Sequence, residues 1–212
     1  SRANLAVVEQ RVAAVCARAG RARSDVRLVA VTKTFPAADV DHAIALGVGD
    51  VGENRVQEAR DKKPHVKGTV RWHLIGHLQS NKAKEAVRLA DVIQTVDSIE
   101  LAEKIGRAAE AAGKVQDVLL QINIGREPQK SGLAAEDAVA QARSIMNVPA
   151  LRVLGLMAIP PLGEPQAMRR YFRELRELRD AAGLTELSMG MTDDFEEAIE
   201  EGATIIRVGR AI

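Results

Sequence analysis

Residues 26–36, Val26-Arg27-Leu28-Val29-Ala30-Val31-Thr32-Lys33-Thr34-Phe35-Pro36, join a buried-strand pattern to a charged amine and then to a turn without glycine. A short apolar, β-branched run closed by proline reads as a strand. The turn after it decides between two architectures. An open doubly wound sheet that holds a dinucleotide needs glycines in its first βα turn. Thr32-Lys33-Thr34-Phe35-Pro36 has none, and no P-loop occurs elsewhere. Lys33 also carries a chemical reading. A long stem buries readily and a desolvated amine loses its proton, which suits an imine to a carbonyl compound. Taken alone, the same lysine also fits a snorkelling side chain at a strand end.

Outward from this stretch, β-branched segments alternate with amphipathic ones rich in Ala, Glu, Lys and Arg. An N-terminal helix is expected from Asn4 to Ala19. The pattern then predicts strands at Arg27–Thr32, Asp50–Gly52, Val70–Ile75, Val92–Thr95, Val115–Ile124, Arg152–Ile159, Glu186–Met189 and Thr204–Val208. Helices are expected at Pro36–Leu46, Arg55–Lys62, Lys82–Leu89, Ile99–Ala112, Ala135–Met146, Pro165–Ala182 and Asp193–Glu201. Gly47, Gly113, Gly183 and Gly202 stand where helices should stop. Eight strands with intervening helices close best as a single (β/α)8 barrel with an extra N-terminal helix. At 212 residues the chain is near the lower limit for that fold, so one domain over residues 1–212 is expected.

Composition narrows the function. With 30 basic and 29 acidic residues the net charge is +1, which argues against nucleic acid or an acidic membrane as main partner. Aromatic residues make up 2%, too few for base-stacking platforms. Cys16 is the only cysteine and falls in the apolar pattern of the first helix, so a small buried hydrophobe in a reducing compartment is expected. No membrane span or signal peptide is apparent, and the expectation is a cytoplasmic monomer.

Barrel chemistry gathers at the carboxyl ends of the strands. Lys33 ends the first. The loops after strands seven and eight are a barrel's usual phosphate site, and Ser188, Gly190 and Gly209 have the small side chains that let backbone N–H groups reach an anion. Two ordinary turns are the competing reading. Arg207, at the end of strand eight, is a permanent donor facing the mouth. An amine, an anion cup and a fixed cation together describe a site for pyridoxal 5'-phosphate, with Arg207 towards the pyridine nitrogen, where it keeps that nitrogen unprotonated. His73 and His77 straddle a strand end and offer no third ligand, so no metal site is expected. The polar loop 125–132 reads as a solvated turn. The arginines of 169–179, interleaved with Glu174 and Glu177, read as a salt-bridged solvent face of a helix.

Ala30-Val31-Thr32-Lys33, Gly52-Glu53-Asn54-Arg55-Val56-Gln57-Glu58, Trp72-His73-Leu74-Ile75-Gly76-His77-Leu78-Gln79-Ser80-Asn81-Lys82, Gly155-Leu156-Met157-Ala158-Ile159 and Leu187-Ser188-Met189-Gly190-Met191 resemble the pyridoxal phosphate homeostasis proteins, the YggS/PROSC family. The resemblance runs nearly end to end. It implies a fold-type III barrel like the N-terminal domain of alanine racemase, with the cofactor as an internal aldimine on Lys33. It also implies a role in buffering pyridoxal phosphate, delivering it to apo-enzymes and balancing vitamin B6 and amino-acid pools, without catalytic residues. Asn54 and Met157, within family motifs, are implied to belong to the cofactor pocket. Arg210 stands where many relatives carry Thr or Ser, so its backbone N–H or its charge would replace a hydroxyl contact to the phosphate. Two enzyme readings compete. A racemase needs an acid–base group on each face of its substrate, and Tyr171, the only tyrosine, lies in an expected outer helix. A Schiff-base aldolase using Lys33 would share both barrel and phosphate cup.

Overall fold

A computed structural model describes residues 1–209 and 212. Eight parallel strands close into a barrel: β1 (Arg27–Val31), β2 (Asp50–Glu53), β3 (Arg71–Leu74), β4 (Val92–Val96), β5 (Gln116–Asn123), β7 (Leu151–Met157), β8 (Glu186–Ser188) and β9 (Ile205–Val208). Pairing of β4 with β5 and of β1 with β9 removes both sheet edges. A ninth strand, β6 (Leu133–Ala134), adds to β5 outside the ring and has no counterpart in the expected pattern, being two residues long. Helices α2 (Ala37–Ala45), α3 (Val56–Lys62), α4 (Ala83–Leu89), α5 (Ile99–Ala111), α6 (Ala138–Met146), α7 (Pro165–Ala182) and α8 (Phe195–Glu200) follow successive strands.

The N-terminal helix α1 (Arg2–Arg18) is less an addition than the missing outer member. Arg11 bonds Glu196 of α8 at 2.7 Å and stacks on Phe195, while Leu5 shares a cleft with Ala43 and Leu46 by α2. It therefore stands between the last and first barrel helices. Cys16 is buried on its inner side, and burial raises its thiol above the ordinary range despite Arg21 and Arg23.

Strand alternation sorts the side chains into two layers. Leu28, Ala30, Val51, Trp72, Leu74 and Ile93 join the large core between strands and helices. Val29, Val92, Leu119, Met157 and Ile205 form a separate cluster inside the barrel. Gly47, Gly113, Gly183 and Gly202 all take positive φ at helix ends, a conformation that costs a residue with a Cβ.

The arginines of α7 correct the expectation of a self-paired face. Arg169 reaches Glu200, Arg173 bonds Glu201 at 3.0 Å, and Arg176 bonds the Glu201 carbonyl at 2.8 Å. Glu174 instead takes Arg126 from the loop after β5 in a two-point bond of 2.9 and 2.8 Å. These pairs staple α7 to α8 and pin the 125–132 loop, although Arg169 also bonds Gln166 and Arg179 pairs with Asp180 within the helix.

Gly155 marks the tightest strand contact, because a Cβ there would lie 1.8 Å from the Glu186 carbonyl oxygen. Gly155→Ala is expected to lower stability by about 3 kcal/mol, since backbone must move to admit the methyl; a urea midpoint equal to wild type would contradict this.

Candidate functional site

The turn after β1 is braced from beneath. Thr32 continues the pairing, its N–H donating to the Gly52 carbonyl at 3.0 Å. Its hydroxyl donates to Glu53 Oε1 at 3.3 Å, and its carbonyl accepts from Lys62 Nζ at 2.6 Å. Lys62 and Glu53 form a buried ion pair in the layer between barrel and helices. Burial pushes the Glu53 carboxyl above its usual range even against Lys62, and its Oε2 has no partner among the described residues. Thr34 holds φ at 67° with its N–H on Glu58 Oε2 at 3.3 Å. Both neighbours of Lys33 are thus tied down, while its own side chain is exposed and makes no hydrogen bond or ion pair among the described residues.

On the adjacent strands, small residues pack against β1 and α8. Gly209 lies against β1, where a Cβ would come within 3.3 Å of the Val31 Cβ. Its N–H donates to Thr192 Oγ1 at 3.4 Å, linking the two last βα turns. Gly190 takes φ of 100° and its carbonyl accepts from the Arg207 N–H at 3.0 Å. A Cβ on Gly190 would lie 2.6 Å from the Ala198 Cβ, so only glycine lets this turn pack down on α8. Thr192 was not singled out from the sequence; a hydroxyl two residues past Gly190 was the available signal.

Arg207 is 2% exposed and bonds two neutral acceptors, Ser188 Oγ at 2.6 Å and the Ala158 carbonyl at 3.1 Å. Burial pulls its guanidinium down to about 10, with the Asp194 charge resisting. Asp194 itself is raised by burial, although its carboxylate accepts the Met191 N–H and feels Arg207. Arg207 therefore stays cationic at neutral pH, with no carboxylate hydrogen-bonded to it among the described residues.

The barrel interior holds further polar groups that sequence reasoning missed or misread. Ser188 Oγ bonds Gln94 Oε1 at 2.6 Å, Gln94 Nε2 meets His73 Nδ1 at 2.9 Å, and His73 Nε2 meets Asp50 Oδ1 at 2.8 Å. Arg27 closes on Asp50 at 3.0 Å. Burial opposes the Asp50 charge, but His73 and Arg27 together hold its carboxyl below the ordinary value. His77 lies apart, exposed and 3.6 Å from Asp97. The missed signal is parity: His73 sits between Trp72 and Leu74, and Gln94 follows Ile93, all three outward-facing, so both polar residues point inward.

Of the other named positions, Asn54 is half-buried, with its carbonyl oxygen 2.1 Å from where a Cβ of Gly76 would stand. Met157 is fully buried in the inner apolar cluster. Arg210 lies outside the described residues. The structure thus brings Ser188, Gly190, Arg207 and Gly209 together and sets Lys33 in the neighbouring turn. Lys62→Met should cost about 3 kcal/mol by stranding Glu53. Because Lys62 is what opposes the burial that raises the Glu53 value, its loss should raise that value further, so the deficit should be full at neutral pH and shrink as pH falls and Glu53 takes up its proton; a pH-independent deficit in chemical denaturation would refute the assignment.

A family model described as the alanine racemase N-terminal domain matches residues 3–212. The pyridoxal phosphate homeostasis protein of Aquifex aeolicus is 41% identical, over 97% of this chain and 93% of its own. A crystal structure of a Bifidobacterium adolescentis protein, described as unknown, superposes with a TM-score of 0.94 at 39% identity, covering 100% of this chain and 93% of the other. PipY of Synechococcus elongatus, with PLP bound, gives 0.84 at 36% identity, covering 96% and 98%.

Proposed function

The chain belongs to the alanine racemase N-terminal domain family and, within it, to the pyridoxal phosphate homeostasis proteins, and from that premise we propose that it binds pyridoxal 5'-phosphate to buffer and deliver it. The observation that carries this reading is the buried Arg207, hydrogen-bonded to neutral partners alone among the described residues, beside two glycine-containing turns and the Lys33 turn. A buried cation hydrogen-bonded to neutral partners favours an anionic ligand, because the ligand's charge offsets a desolvation that Asp194 answers only in part.

The residues present fit this cofactor. Bound, it supplies an aldehyde for an amine, a phosphate and a ring nitrogen. Lys33 is the amine whose neighbours are held and whose nitrogen is unengaged. The turns carrying Gly190 and Gly209, with Thr192 between them, would hold the phosphate, and Ser188, its hydroxyl committed to Arg207 and Gln94, would act on the cofactor through Arg207. Arg207 would donate towards the ring nitrogen and, as a fixed cation, would disfavour a proton there. Asn54 and Met157 bound the pocket wall and floor.

Carrier function rather than turnover is favoured by the place of the only tyrosine. Tyr171 lies on outer helix α7, its hydroxyl accepting from Arg170 at 2.8 Å, and cannot serve as a second base at the mouth. Phe35, Ile159, Leu162 and Met191 leave apolar side chains exposed on βα turns, which suits contact with an apo-enzyme that receives the cofactor.

Borohydride reduction after incubation with pyridoxal phosphate should place a stable mass adduct on Lys33, and Lys33→Ala should weaken cofactor retention about a hundredfold. Scattered adducts on several lysines, or none together with cleavage of a phosphorylated aldol, would favour the aldolase reading. Delivery is checked by mixing loaded protein with an apo-enzyme: activation should outpace spontaneous release of the cofactor, and equal rates would remove the delivery role.

A further inference from the structure

The polar groups inside the barrel form one unbroken line from Arg207, near the carboxyl end of β9, to Asp50, the first residue of β2. The hydrogen-bonding capacity of its two ends sets its direction. Arginine can only donate, so Ser188 Oγ must accept from Arg207 at 2.6 Å and spend its own proton on Gln94 Oε1, also at 2.6 Å. That fixes the amide of Gln94 with its nitrogen towards His73, where Nδ1 accepts at 2.9 Å. The imidazole proton is left on Nε2, which donates to Asp50 Oδ1 at 2.8 Å. A carboxylate can only accept, so the line ends there, with Arg27 outside it. Asp50, His73, Gln94, Ser188 and Arg207 are each between 0% and 4% exposed, so water does not offer an alternative arrangement.

We propose that Gln94, His73 and Asp50 are positioning residues that act through Ser188: they hold its lone pair on Arg207 and thereby aim the remaining guanidinium N–H groups at the ring nitrogen of the cofactor. This rests on the cofactor reading above. None of the three has to touch the cofactor. The charged group facing Arg207 from α8, Asp194, makes no hydrogen bond to it among the described residues and does not orient it. Without Gln94 the Ser188 hydroxyl loses its acceptor and turns, and the guanidinium loses its fixed bearing. A ring nitrogen that is no longer met by a cationic donor takes up a proton more readily.

Two measurements test this. In the cofactor-free protein, imidazole 15N shifts should show His73 protonated at Nε2 and not at Nδ1; a proton on Nδ1 overturns the proposed direction whatever the cofactor does. In the loaded protein, Gln94→Leu should move the acid-side transition of the bound cofactor's visible absorbance to higher pH and weaken retention about tenfold. The effect should not add to that of Ser188→Ala, because both break the same line. Asp50→Asn, whose side-chain oxygen still accepts from His73, should keep the wild-type absorbance profile. A Gln94→Leu protein with lower thermal stability but an unchanged absorbance profile would make the line merely structural and overturn the proposal. Wild-type protein that takes up no pyridoxal phosphate would instead sink the cofactor reading and leave the nitrogen shifts to decide the direction.

Discussion

A guanidinium sealed inside a barrel without a carboxylate bonded to it constrains everything around it. Burial, against the opposing charge of Asp194, moves Arg207 down to about 10 yet leaves it charged at neutral pH, so its N–H groups must find neutral acceptors or an external anion. Ser188 and the Ala158 carbonyl take two of them. The Ser188 hydroxyl can do so only if its own proton goes elsewhere, and Gln94, His73 and Asp50 carry that obligation to the other end of the barrel. A barrel interior of this size would otherwise fill with aliphatic layers, as Val29, Val92, Leu119, Met157 and Ile205 still do in part.

The same alternation of side chains serves two tasks at the end of β1. Outward positions put Thr32 against the buried Glu53–Lys62 pair, which grips the turn from the helix side. The next residue, Lys33, is left exposed between two anchored neighbours. Two lysines in this region thus have opposite fates: Lys62 is consumed in holding the backbone, and Lys33 keeps a free amine. Proximity in sequence to Glu53 and Glu58 does not predict which lysine is which. Helix α3 decides it, by returning Lys62 to the strand end it left nine residues earlier.

The arginine-rich α7 shows where local pattern misleads. Glu174 and Glu177 interleave with its arginines as in an isolated helix, but apart from Arg179–Asp180 the ion pairs found among the described residues run to Glu200, Glu201 and the 125–132 loop. Spacing along one helix records possible partners and not competing ones on a neighbour at equal reach. Likewise the HxxxH spacing of His73 and His77 separates rather than gathers, because Gly76 sits between them in a turn packed against the Asn54 backbone.

By itself the amino-acid order determined all eight barrel strands, the helices between them and the glycine stops, because periodicity and turn chemistry are short-range properties. It also singled out Lys33, Ser188, Gly190, Arg207 and Gly209, since they fall at strand ends where a barrel exposes its carboxyl face. What only the tertiary structure decided is which inward polar residues meet: Asp50, His73, Gln94 and Ser188 come from four strands up to 138 residues apart. Closing the cylinder brings them within hydrogen-bond reach, and once water is excluded each must satisfy the next.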